Sequence, residues 1–201
     1  MIDVSSLGLI AEGNKRACHR HPHDAGKCLK VALSDDGHAD TAREDREYAR
    51  LGIARLDGDV PLPRHFPPLE TNRGPAAVRE LVRDADGAVS ATLLDELTPV
   101  TLARQPDGWQ RALTSFTDWL WCHSVVATDM TPNNICVRYA EDGSPSFLLI
   151  DGLGHRDRWP LIEQFQTARR WKLRRHFVKR GLTDLPALLA VSEGRRRRRT
   201  G

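Results

Sequence analysis

KCLKVAL, residues 27–33, is an apolar run broken by Lys30 and predicts a short strand, on which Cys28 and Lys30 share one face and Leu29 and Val31 the other. The preceding LGLIAEGNKRACHRHP has glycines at two likely bends and predicts further strands and turns. The pattern changes over ADTAREDREYARLGIAR, residues 39–55, where Glu44, Tyr48 and Leu51 recur at i, i+4 and i+7 and predict a helix. VPLPRHFPPLE, residues 60–70, is expected to break any regular element because proline removes a backbone donor. AAVRELVRD, residues 76–84, predicts another strand, and Arg83–Gly87 a turn or hinge.

From about residue 91 the pattern is helical. In GWQRALTSFTDWLWCHS, Leu113, Phe116, Leu120 and either Trp121 or Cys122 form a core stripe. NICVRYAEDGSPSFLLIDG then predicts a hairpin turning at Asp142–Pro145. Helices are expected from about Trp159 to Ser192, with Pro186 opening the last. This is an α+β chain, with a sheet-bearing N-terminal half and a helical C-terminal half.

Composition changes this picture little. The chain has 201 residues, 40% of them apolar and 28% charged, as in ordinary globular proteins. Its net charge is +3, and the run Arg195–Arg199 supplies much of the excess, so the body is near neutral and does not read as a nucleic-acid binder. Residues 193–201 are expected to be a disordered, solubilising tail. Four cysteines without a CxxC pair read as reduced thiols. No signal peptide or membrane span is evident, so the expected location is cytoplasmic. Cys18, His21, His23 and Cys28 are all legal zinc ligands, but their spacing fits no standard zinc template. The five tryptophans are expected mainly in the core.

The candidate chemistry lies in CHSVVATDMTPNNICV and FLLIDGLG. Asp129 and Asn134 stand five positions apart before an apolar strand, and Asp151 ends the next one. Asp, Asn and Pro also form turns, and Asp151 could simply cap a strand end. Upstream, Lys30 on a strand is followed by Glu44 on the next helix, with Glu47 a competing partner.

In order and spacing these segments resemble the protein kinases. KCLKV resembles the strand bearing the phosphate lysine, and FLLIDGLG the metal-binding Asp-Phe-Gly segment. With GNKRACHRHPHDAGKCLKV, REYARLG, RELVRDADG, TPNNIC and IDGLG, the chain more closely resembles the YrbL family of PhoP regulatory network proteins, which is kinase-like. The likeness spans about residues 5–180. It implies a compact two-lobed kinase-like fold, with a small N-lobe over residues 1–82 and a reduced helical C-lobe over residues 83–192. It also implies Mg²⁺ and ATP as ligands and an unknown phosphate acceptor. Lys30 would hold the α/β-phosphates, with Glu44 as its partner. Asp129 would orient the acceptor hydroxyl, and Asn134 and Asp151 would hold Mg²⁺. Backbone groups of Glu80–Val82 would meet the adenine.

The pattern is departed from at four points. Ala127 and Thr128 replace the usual His-Arg, and Thr131 replaces a basic residue. Gly152 directly follows Asp151, and Gly13 stands alone where a glycine-rich loop is expected. These departures support a second reading, a pseudokinase acting as a regulatory or scaffold protein through a protein partner.

Overall fold

The computed structural model describes residues 1–53, 59–127, 129–154 and 165–200. The chain divides into two units. One holds the described residues up to 53 together with Pro63–Val82; the other holds residues 59–62 and the described residues from Arg83 on.

The first unit is a five-stranded antiparallel sheet with one long helix. Its strands are β1 (Leu9–Glu12), β2 (Arg16–Arg20), β3 (Lys27–Ala32), β4 (His65–Thr71) and β5 (Gly74–Glu80), in the order β1-β2-β3-β5-β4. Leu29, Val31, Ala76 and Val78 bury one sheet face around Val4. The opposite face carries Arg16, Lys30 and Arg79, as the pairings Arg16↔Ala32, Lys30↔Ala77 and Cys28↔Arg79 require. Helix α1 (Asp35–Leu51) supplies the acids that meet that second face.

Helix α1 starts four residues before the expected position. Ser34 caps it by accepting from the Gly37 N–H, and Asp35 and Asp36 complement the helix dipole. A Cβ on Gly37 would strike the Lys15 carbonyl, so glycine lets α1 approach the end of β2 closely. The helix ends in a left-handed Gly52; residues 54 and 55 of the expected helix lie outside the described residues.

The proline-rich segment was expected to be irregular and instead contains β4. The strand lies at the sheet edge, where a missing N–H leaves no ladder bond unmade, and its register breaks between Phe66 and Leu69, around Pro67 and Pro68.

The second unit contains α2 (Leu93–Glu96), α3 (Pro99–Arg104), α4 (Pro106–Cys122), the hairpin β6 (Ile135–Tyr139) and β7 (Pro145–Leu149), α5 (Gln166–Arg180) and α6 (Leu185–Thr200). Trp109 and Phe116 of α4 meet Phe147 of β7 at ring distances of 5.7 and 6.1 Å. Trp109 joins Leu113, Phe116 and Leu120 in the buried stripe, whereas Trp121 and Cys122 are exposed. Of the tryptophans, expected as core and packing residues, Trp109 is core, Trp119 is half-buried, Trp121 and Trp171 are exposed, and Trp159 lies outside the described residues.

The arginine run is not a disordered end. Helix α6 continues through it, and Arg196 donates from Nη1 to the carbonyls of Leu94 (2.7 Å) and Leu97 (2.8 Å), and from Nη2 to Leu97 (2.8 Å). Those carbonyls close α2 and lack intrahelical partners, so the guanidinium satisfies them. Among the described residues no helix is long and apolar enough to cross a membrane.

Candidate functional site

Two acidic centres, one in each unit, gather the residues singled out by the sequence.

In the first unit Glu44 is 2% exposed. Its Oε1 accepts from Arg16 Nη2 at 2.6 Å, and its Oε2 stands 3.5 Å from Lys30 Nζ and 3.9 Å from Arg79 Nη2. Helix periodicity turns Glu44 onto the sheet, and strand alternation presents the cations to it. Glu47, the other acid on this helix, meets Arg50 at 2.8 Å. Arg79 also meets Asp45 at 2.6 Å and lies over the Tyr48 ring. Burial, opposed by Arg79, pushes the Tyr48 phenol above its ordinary range, and its hydroxyl donates to the Pro63 carbonyl.

The end of β5 and the residue after it are tied by their backbone. The Glu80 N–H donates to Arg64 O at 2.9 Å, and the Leu81 N–H to Gly26 O at 2.8 Å. The Glu80 carboxylate accepts from the Arg64 N–H at 3.0 Å. Val82 follows, buried.

In the second unit the hairpin does the positioning. The pairing Ile135↔Leu149 sets Asn134 opposite Ile150, with Asp151 one residue further, and the Ile150 N–H donates to Asn134 O at 2.8 Å. Ala127 bridges Leu153, and the Gly154 N–H donates to Val126 O, so the two loops lie side by side. Asn134 Nδ2 donates to Asp129 O at 2.9 Å and to Asp129 Oδ2 at 3.3 Å. Gly152 has φ +80°, and a Cβ there would stand 2.9 Å from Asp129 O. Glycine after Asp151 thus permits both a left-handed turn and close contact with the backbone of Asp129. Thr128 lies outside the described residues.

Sequence reasoning missed Arg16, Arg79 and Arg180. Arg180, the last residue of α5, donates from Nη2 to Asp129 Oδ1 at 2.9 Å. Its only sequence signal is its place seven residues after the buried Leu173, on the same helix stripe. Among the described residues no group of three or more His, Cys, Asp or Glu could hold a metal, which leaves Cys18, His21, His23 and Cys28 without a zinc geometry. A magnesium ion needs less from protein, since water and phosphate oxygens complete its shell. Asn134 donates its amide N–H groups to Asp129, so its carbonyl oxygen and the Asp151 carboxylate, on neighbouring strand ends, are the hard-oxygen groups that could hold such an ion.

The chain is 27% identical over 163 residues to the YrbL protein of Escherichia coli (strain K12), covering 80% of this chain and 77% of that one. It matches YrbL of Shigella flexneri to the same extent. The family described as PhoP regulatory network protein YrbL matches residues 2–180, nearly the whole length, and the chain belongs to that family.

Proposed function

We propose that this chain is a kinase-like protein that binds Mg·ATP and passes its γ-phosphoryl group to an acceptor hydroxyl. The observation that carries this reading is the buried Lys30–Glu44 pair, a strand lysine held by the carboxylate of the following helix. In phosphoryl transfer such a lysine neutralises nucleotide phosphates, and its glutamate keeps it extended. Backbone groups of Glu80 and Val82 would take the adenine edge. Asn134 and Asp151 would hold Mg²⁺, which when bound neutralises charge on the phosphate oxygens. Asp129 would orient the acceptor hydroxyl and take its proton as the acceptor oxygen bonds to phosphorus and the bond to the ADP oxygen breaks.

The test is thermal unfolding with and without Mg·ATP, on the wild type and Asp151→Asn. A ligand at a hundred times its Kd stabilises by about 2.7 kcal/mol, or about 5–10 °C for a chain of this size. The expected result is a magnesium-dependent shift that Asp151→Asn loses. No shift at millimolar Mg·ATP overturns the reading.

A second reading is favoured by the Arg180–Asp129 pair, which engages the carboxylate that would receive the proton. On this reading the protein binds nucleotide as a regulatory or scaffold pseudokinase, in keeping with the regulatory network for which its family is named. A Mg·ATP shift without ADP formation in the presence of candidate acceptors favours it.

A further inference from the structure

Lys172, His176 and Arg180 follow one another at four-residue spacing and so share one stripe of α5. Arg169 and Leu173, beside that stripe, are buried. Arg169 Nε donates to the Ser124 carbonyl at 2.8 Å, and Arg180 reaches Asp129 at 2.9 Å. The helix therefore runs along the loop that ends at Asp129. His176 lies one turn before Arg180, where burial and then the charges of Lys172, Arg180 and Lys179 oppose its protonation and that of Asp129 favours it. Two buried atoms of this stripe, His176 Nδ1 and Arg180 Nε, have no hydrogen-bond partner. Unsatisfied buried polar atoms are rare, and they are expected where a ligand supplies the missing partner. No acid occurs anywhere between Gln166 and Arg180.

We propose that Lys172, His176 and Arg180 bind an oxyanion, a phosphate or carboxylate group borne by the molecule whose hydroxyl Asp129 orients. The acceptor is thereby an anionic hydroxy compound or side chain. Its role as acceptor rests on the kinase-like reading, whereas the oxyanion site itself does not. A guanidinium presents parallel N–H donors that match an oxyanion, and the unpartnered Nε is one of them. The Arg180–Asp129 pair is partly exposed on both sides, so Arg180 exchanges the carboxylate for the incoming anion at little cost. That exchange releases Asp129 next to the bound hydroxyl. The negative charge brought in favours the protonated form of His176, which then donates as well.

The experiment titrates the full-length protein with inorganic phosphate and, separately, acetate, while following the imidazole C2–H resonances by NMR. The His176 signal is identified by its loss in His176→Gln. We expect phosphate to move that signal and raise Tm, with apparent affinity at least about tenfold weaker in Arg180→Gln and intermediate in Arg180→Lys. Lys30→Met removes the other candidate phosphate cation and should leave this response unchanged. A stronger response to acetate than to phosphate would assign the anion as a carboxylate. The proposal is overturned if neither anion moves the His176 signal at tens of millimolar, if Arg180→Gln responds like wild type, or if Lys30→Met alone abolishes the response. Should Arg180→Gln not fold, an undiminished response in Arg180→Lys overturns it equally. A phosphate response without a Mg·ATP shift removes the kinase reading and keeps the oxyanion site; the converse removes only the site.

Discussion

Glu44 and Asp129 are both acids held by arginine, yet their surroundings are opposite. Glu44 is 2% exposed and has Arg16, Lys30 and Arg79 within 4 Å. The Asp129 side chain is 47% exposed and, among the described residues, pairs with the guanidinium of Arg180. A buried charge cannot fall back on water, so the Glu44 cluster is part of what holds α1 to the sheet. A half-exposed charge can, so the Asp129 pair is exchangeable. The same ion-pair chemistry is thus locked in place in the first unit and exchangeable in the second.

The strongest way to break this comparison is Glu44→Ala. It removes the carboxylate that Arg16, Lys30 and Arg79 share and should cost about 3–5 kcal/mol in urea unfolding. A loss below about 1 kcal/mol would mean that these cations do not depend on Glu44. Gly152→Ala should come next, at about 1–2 kcal/mol for the left-handed backbone alone, with more from the contact with Asp129 O. An unaltered Tm in this variant would show that the turn relaxes freely.

Asp129→Asn sharpens the contrast, since an exposed pair is worth about 0–1 kcal/mol. Stability should barely move while any ADP-forming turnover is abolished. Retained turnover would remove Asp129 from the proton-accepting role.

The smallest effect concerns pH. Burial, then Lys172, Arg180 and Lys179, hold the His176 pKa below its ordinary value against the pull of Asp129. The unfolded chain therefore takes up this proton first as pH falls. The stabilising contribution is complete above the unfolded pKa, about 6.5, and is lost as pH falls toward the lower folded pKa. His176→Gln should flatten that part of the Tm–pH profile. His65, held low mainly by burial and Arg79, should keep its own share. An unchanged profile in His176→Gln would place the titration elsewhere.

What could be read from the sequence followed the two periodicities. Period 2 set Lys30 apart from Leu29 and Val31, period 3.6 turned Glu44 and Tyr48 inward, and apolar runs flanking Asp142–Pro145 fixed the hairpin that brings Asn134 and Asp151 to one end. What escaped depended on partners far along the chain. Strand β4 is tolerated with its prolines only because topology puts it at an edge. Arg79 reads as an interruption of an apolar strand until Asp45 and Glu44 are seen against it, and Arg180 meets Asp129 across 51 positions. The helical tail escaped for the same reason: the carbonyls that anchor Arg196 lie 99 and 102 positions earlier.

That anchor has a consequence for the gene. Arg196 is the second of five identical residues, Arg195–Arg199, and it is the one whose guanidinium closes α2. If copying gains or loses one arginine codon within the run, position 196 is still arginine and the helix before it keeps its phase. The run thus keeps an arginine at the anchoring position through a one-residue insertion or deletion within it.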